Sequence, residues 1–226
     1  MNAKSLGYIG GKYNLSVVKA LINNFPPHER FIKLFAGTGG VLAHKEPAKE
    51  NYAIEIDRSM AVNNNYPAGT EVIYDCVFRN RQLITTATAT TLIYADPPYD
   101  EEVVPRLKDY YKYTLTNKQH IELRQLFSTT QAKVAISGYH SKLYDKLYKD
   151  WRYIELPVMS RGGPRTEVIW FNYPEPKVLH EVTHVGENKD MRQRLRRKTE
   201  RLLSRLKQLP DQERQFILTA LQQFDR

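Results

Sequence analysis

The apolar run Leu92-Ile93-Tyr94-Ala95 is closed by Asp96-Pro97-Pro98-Tyr99. Proline has no N–H donor and a fixed φ, so two in succession end a strand and hold the following loop extended. A buried strand stopped in this way leaves backbone carbonyls unpaired at its mouth, with a carboxylate beside them and an aromatic ring after them. Such a turn is poor building material. It offers hydrogen-bond acceptors converging on one point and a face on which a planar ring can stack, which suits the exocyclic amine of a nucleobase.

Apolar, β-branched runs predict strands at Phe31–Phe35, Tyr52–Ile56, Val72–Tyr74, Leu92–Ala95, Val134–Ile136 and Val168–Phe171. Helical patterns fall between them at Leu15–Asn24, Arg58–Asn64, Asn117–Thr129 and Ser141–Lys149. This alternation predicts an α/β fold with a doubly wound, mostly parallel sheet. Ligands in such sheets collect beyond the carboxyl ends of the strands, where the strand order reverses.

The first predicted strand runs into Phe35-Ala36-Gly37-Thr38-Gly39-Gly40, a turn whose small residues let the backbone approach a nucleotide-like ligand. No Gly-Lys-Ser/Thr follows, so phosphate binding is not indicated. The second strand ends in Glu55-Ile56-Asp57, where either carboxylate could accept hydrogen bonds from ribose hydroxyls. Asp75 follows the third. A cofactor with an adenosine moiety and no pyrophosphate is the economical expectation.

The single cysteine, Cys76, excludes an intrachain disulfide and a multi-cysteine zinc site. The six histidines, at 28, 44, 120, 140, 180 and 184, lack metalloprotease spacing, and no metal site is expected. A net charge of +9 suits a polyanionic partner such as nucleic acid. The chain has no apolar segment of the length a membrane helix needs and no apolar signal segment, which predicts a cytoplasmic protein with no membrane partner.

Tyr173-Pro174-Glu175-Pro176 marks the expected end of a catalytic domain over residues 1–176. Residues 177–226 carry twelve Lys or Arg against seven Asp or Glu. Leu195, Leu202 and Leu209 recur every seven residues with Leu206 between, and Pro210 separates them from a second stripe at Phe216, Ile217, Ala220, Leu221 and Phe224. A basic helical hairpin is predicted. Its role is open between packing or pairing with a second subunit and contact with phosphates.

Taken together, these motifs strongly resemble the DNA N6-adenine methyltransferases of the Dam type. The resemblance begins at Tyr8-Ile9-Gly10-Gly11-Lys12-Tyr13 and passes through the glycine turn and Asp96-Pro97-Pro98-Tyr99. It continues through Asn117–Phe127, Val134-Ala135-Ile136-Ser137-Gly138-Tyr139 and Arg165-Thr166-Glu167-Val168-Ile169-Trp170-Phe171-Asn172, covering roughly residues 5–173. It implies a Rossmann-like class I methyltransferase fold with a C-terminal helical extension, S-adenosylmethionine as cofactor, double-stranded DNA as substrate and methyl transfer to adenine N6. The target base would be flipped out of the duplex.

By position, the resemblance assigns Tyr8 and Lys12 to the methionine portion of the cofactor. It assigns Phe35, Ala36, Gly37, Thr38 and Gly39 to the surroundings of the sulfonium and amino acid, Glu55 or Asp57 to the ribose, and Asp75 with Cys76 to the adenine. Asp96, Pro97, Pro98 and Tyr99 would hold the target base. For contact with DNA the expected residues are Lys108, Tyr110, Tyr111, Lys112 and Tyr113 in one loop, with Arg161 and Arg165 in a basic turn.

The chain departs from this family in one respect. Only 20 residues separate Asp75 from Asp96, where Dam-type members carry a sizeable target-recognition insertion. Specificity is then expected from the 100–116 loop, from the basic extension, or from a homodimer or specificity partner held by residues 177–226. An RNA exocyclic-amine methyltransferase and an inactive nucleic-acid-binding relative are the alternatives.

Overall fold

The computed structural model describes residues 15–63, 66–100, 102–103, 112–160, 163–186 and 189–223. Its contacts divide the chain into a unit ending at Val182 and a second unit, Thr183–Arg226.

The first unit is built on one seven-stranded sheet of order β3-β2-β1-β4-β5-β7-β6. The strands are β1 (Arg30–Leu34), β2 (Glu50–Ile54), β3 (Thr70–Ile73), β4 (Thr91–Ala95), β5 (Lys133–Gly138), β6 (Arg152–Ser160) and β7 (Gly163–Phe171). The first five are parallel, and β7 is antiparallel to both β5 and β6. This is the mostly parallel, doubly wound sheet expected from the sequence.

Side-chain alternation along the buried strands divides the core between the two faces of the sheet. Ile32, Leu34, Ile93 and Ile136 pack on one face with Ile84 of α3 (Arg81–Thr85), Leu123 and Phe127 of α4 (Asn117–Thr129), and Tyr144 of α5 (Lys142–Leu147). Phe31, Ala53, Leu92 and Ala135 pack on the other with Val18, Leu21 and Ile22 of α1 (Leu15–Ile22) and Leu42 of α2 (Gly40–His44). Arg58–Asn63 forms a 3-10 helix.

The limits of α4 agree with the sequence pattern because a reciprocal capping box sets its start. The Thr116 hydroxyl accepts from the Gln119 amide at 3.3 Å, and the Gln119 side chain accepts from the Thr116 amide at 2.9 Å. Strand β6 was not predicted. Pro157 lies within it, and the strand is tolerated because it forms the edge of the sheet, paired only with β7.

Beyond Tyr173 the chain stays on the first unit as a strap. The His180 amide donates to the Phe25 carbonyl at 2.9 Å, the Glu181 carboxylate accepts from the Glu46 amide at 2.8 Å, and the His28 and His180 rings stack at 3.9 Å. The second unit contains α6 (Lys189–Gln208) and α7 (Asp211–Gln223), with the predicted break at Leu209-Pro210. No described helix is long and apolar enough to cross a membrane.

Candidate active site

Strand order reverses between β1 and β4, the two neighbours at the centre of the sheet. The glycine turn leaves β1 there and Asp96-Pro97-Pro98-Tyr99 leaves β4, so the two motifs face one another across the crevice that such a reversal opens. Both line a single cleft, together with Glu55, Asp57, Asp75 and Cys76 from the ends of β2 and β3. Strand ends far apart in the chain meet because β1 to β4 all run in the same direction.

The glycine turn is tightly held. Gly37 and Gly39 have φ of 55° and 81°, in the left-handed region that a Cβ disfavours. Phe35 has φ of 54° and is the only non-glycine residue with positive φ among those described. Such strain costs on the order of 1–3 kcal/mol and persists where its surroundings over-determine it. Those surroundings are visible here: the Gly37 amide donates to Glu55 Oε2 at 2.7 Å, the Tyr66 hydroxyl donates to the Gly37 carbonyl at 2.7 Å, and the Ala36 amide donates to the Ile54 carbonyl at 3.0 Å.

The two carboxylates left open by the sequence differ in their surroundings. Glu55, 8% exposed, turns toward the glycine turn and also accepts from the Asp57 amide at 2.8 Å. Asp57 instead accepts from the Ser59 hydroxyl and amide at 2.7 and 2.9 Å. The Ser59 hydroxyl chiefly holds the Asp57 carboxyl below its ordinary range, and Lys112, 3.5 Å away, adds to that. Asp75 is folded onto its own turn, accepting from the Cys76 amide at 2.7 Å and from the Arg79 and Asn80 side chains. Ile56, Val77 and Phe78 supply apolar wall.

On the other side of the cleft, the Asp96 amide donates to the Leu34 carbonyl at 3.3 Å, tying the start of the Asp-Pro-Pro-Tyr turn to the end of β1. The Tyr99 ring lies 4.5 Å from that of Tyr139, and the Arg165 guanidinium sits 5.6 Å over Tyr139. Asp100, 3% exposed, fixes the exit of the turn by accepting from Ser141 Oγ at 2.9 Å and the Glu102 amide at 3.0 Å.

The structure therefore gathers Phe35, Ala36, Gly37, Thr38, Gly39, Glu55, Asp57, Asp75, Cys76, Asp96, Pro97, Pro98 and Tyr99 into one cleft, joined by Lys112 and Tyr113. Arg165 reaches Tyr139 rather than the cleft lining. Tyr8, Lys12, Lys108, Tyr110, Tyr111 and Arg161 lie outside the described residues. The sequence reading did not single out Lys33, Tyr66, Phe78, Thr114, Leu115 or Gln119, nor Tyr139 as a ring partner of Tyr99. Only the capping pattern Thr116–Gln119 gave any local signal for this group.

Four carboxylates, at Glu55, Asp57, Asp75 and Asp96, line the cleft against two lysines, one of them already paired with Asp57. This donor set suits a ligand with a cationic centre and hydroxyl donors rather than a phosphate. The cleft thus fits S-adenosylmethionine, and fold and site define a methyltransferase dependent on it.

Residues 76–160 match the model of the D12 class N6 adenine-specific DNA methyltransferase family. The match supports a DNA adenine-N6 methyltransferase, with DNA as its substrate. No curated protein matches the chain.

Solved structures with similar folds include a putative SAM-dependent methyltransferase from Streptococcus mutans, 13% identical with a TM-score of 0.45, covering 68% of this chain and 47% of that one. Precorrin-6y C5,15-methyltransferase from Geobacter metallireducens GS-15 is 10% identical with a TM-score of 0.46, covering 75% and 92%. The O-methyltransferase TomG from Streptomyces achromogenes, in complex with SAM, is 9% identical with a TM-score of 0.45, covering 69% and 77%. The sheet order, not these partial overlaps, defines the fold.

Proposed function

We propose that the cleft methylates an adenine flipped out of duplex DNA, with Asp96 and the Pro97 carbonyl receiving the two hydrogens of N6. The observation that supports this most directly is the opposition of the glycine turn and the Asp-Pro-Pro-Tyr turn across the β1/β4 crevice. When bound, the cofactor supplies an electrophilic methyl group on a sulfonium.

An aromatic amine is a weak nucleophile because its lone pair is delocalised into the ring. Hydrogen bonds from N6 to the Asp96 carboxylate and the Pro97 carbonyl concentrate electron density on nitrogen and stabilise the positive charge that develops there. Once N6 has received the methyl group that the cofactor would supply, the Asp96 carboxylate is placed to take the proton that the nitrogen must lose. Tyr99, braced by Tyr139, stacks on the base and holds nitrogen in line.

Glu55 is assigned to the ribose hydroxyls because its carboxylate faces the glycine turn, whereas Asp57 is turned onto Ser59 and Lys112. Ile56, Val77 and Phe78 offer an apolar bed for the cofactor's adenine beside Asp75 and Cys76. Tyr8 and Lys12 are assigned to its methionine end on the resemblance alone. Lys112, Tyr113 and Arg165, with Lys108, Tyr110, Tyr111 and Arg161, are assigned to the DNA surface.

The basic extension is assigned to phosphate contact, in place of the missing recognition insertion. Within α6, Arg194, Arg197 and Arg201 are spaced along one side and exposed. A cytoplasmic location follows from the substrate.

The test is incubation of the purified protein with labelled S-adenosylmethionine and, separately, unmethylated duplex DNA and total RNA, with mass analysis of the nucleosides. N6-methyldeoxyadenosine is expected. Label confined to RNA, or absent from both, overturns the proposal.

A further inference from the structure

Lys33 lies on β1, an interior strand of the sheet, and is 2% exposed. A methionine would fill this position without placing a charge in the sheet, and burying an ammonium is unfavourable unless it is hydrogen-bonded. The Lys33 ammonium donates to the Leu34 carbonyl at 2.9 Å and to the Phe35 carbonyl at 3.0 Å. Its Nζ also sits 4.4 Å over the ring of Tyr94, the residue opposite it on β4.

These acceptors tie Lys33 to both halves of the site. Leu34 presents the carbonyl that also receives the Asp96 amide, the anchor of the amine-accepting turn. Phe35 is the residue in left-handed backbone at the start of the glycine turn. The far side of that turn is held separately, by Glu55 and Tyr66 on Gly37. Lys33 itself lines the cleft.

We propose that Lys33 is a positioning residue for methyl transfer. Its ammonium fixes the Leu34 and Phe35 carbonyls together, so that the cofactor-side turn and the base-side turn keep one separation. The nitrogen, methyl and sulfur must be collinear at close range for displacement, and a small change in that separation lowers the rate of the chemical step while leaving each ligand's own contacts in place. This inference rests on the methyl-transfer reading above.

The experiment compares wild type with Lys33→Met, which removes the donors while keeping the length of the side chain. Four quantities are measured: S-adenosylmethionine affinity by calorimetry, kcat and KM on unmethylated duplex DNA, and hydrogen exchange at the Asp96 amide. Lys33→Met is expected to bind the cofactor within about 3-fold of wild type and to lose about 30-fold or more in kcat. Exchange at Asp96 should quicken relative to amides in β2.

A folded Lys33→Met chain with unchanged kcat overturns the assignment, as does a loss of cofactor affinity that parallels the loss of activity, which marks a packing role. If the Met chain does not fold, Lys33→Gln gives the same comparison: reduced kcat with retained cofactor affinity is expected, and unchanged kcat overturns it. A wild type that makes no N6-methyladenine overturns the methyl-transfer reading and this assignment with it, whereas an active wild type with an equally active Lys33→Met overturns the assignment alone.

Discussion

The Glu55 carboxylate accepts the Gly37 amide at 2.7 Å, so the acidic end of β2 shapes the glycine turn that follows β1. The same side chain restrains the Asp57 amide, and its bonds link two loops that are 18 residues apart in sequence. Glu55 thus both shapes the glycine turn and lines the cleft.

Replacing Glu55 with Gln removes the charge that strengthens both amide hydrogen bonds. Cofactor affinity is expected to fall about 10-fold or more, equivalent to about 1.4 kcal/mol, measured by calorimetry. Asp57→Asn should have a smaller effect, since its carboxylate is engaged with Ser59 and Lys112. The reverse ranking would transfer the ribose assignment to Asp57.

On the proposed mechanism, Asp96→Ala removes an acceptor needed only as N6 becomes positive. The loss in kcat should reach about 10³-fold, at the upper end for removal of one preorganised electrostatic partner. Cofactor affinity and duplex binding should change little. Single-turnover rates provide the check, and retention of more than a trace of activity would reject the acceptor role.

Tyr99→Ala should weaken capture of a flipped base. A duplex carrying 2-aminopurine at the target position reports this as a smaller rise in fluorescence on binding. Tyr139→Ala should show a weaker form of the same defect, because Tyr139 packs on Tyr99 but does not itself line the cleft. Equal fluorescence in all three proteins would remove the stacking role.

Acid sensitivity follows from two buried histidines. Burial chiefly lowers His28 to about 3 and His120 to about 4. Below the unfolded value near 6.5, the unfolded chain binds protons that the folded chain does not, so stability falls as pH drops toward these folded values. The slope is about 1.4 kcal/mol per pH unit for each histidine. His140 is raised, first by its hydrogen bond to Asp145, and so contributes in the opposite sense, its stabilisation being lost as pH rises through its folded value. Denaturant melts between pH 6.5 and 5 should steepen accordingly, and His28→Gln should remove one histidine's share of the slope. An unchanged slope would show that His28 titrates normally.

A chain ending at Val182 tests the basic extension. If α6 neutralises phosphates, the truncated chain loses about 0.9 in the slope of log affinity against log salt for each contact removed. The same slope with lower affinity would instead support a role in pairing subunits.

The sequence by itself determined the parts of this protein whose signals are local. The buried strands show as apolar runs, the double proline after Ala95 ends β4, and Thr116 with Gln119 sets the start of α4 through neighbouring hydrogen bonds. The site motifs were legible for the same reason, each being a short stretch of unusual backbone chemistry. Strand β6 was not, because its partly exposed alternation and Pro157 make sense only beside β7 at the sheet edge. Only the tertiary structure decided which of Glu55 and Asp57 faces the glycine turn, that Lys33 spans the Leu34 and Phe35 carbonyls, and that Tyr139 supports Tyr99. Those relations depend on side-chain direction between strands brought together by the parallel crossovers, and a pattern of residues along one strand carries no record of which neighbour it will meet.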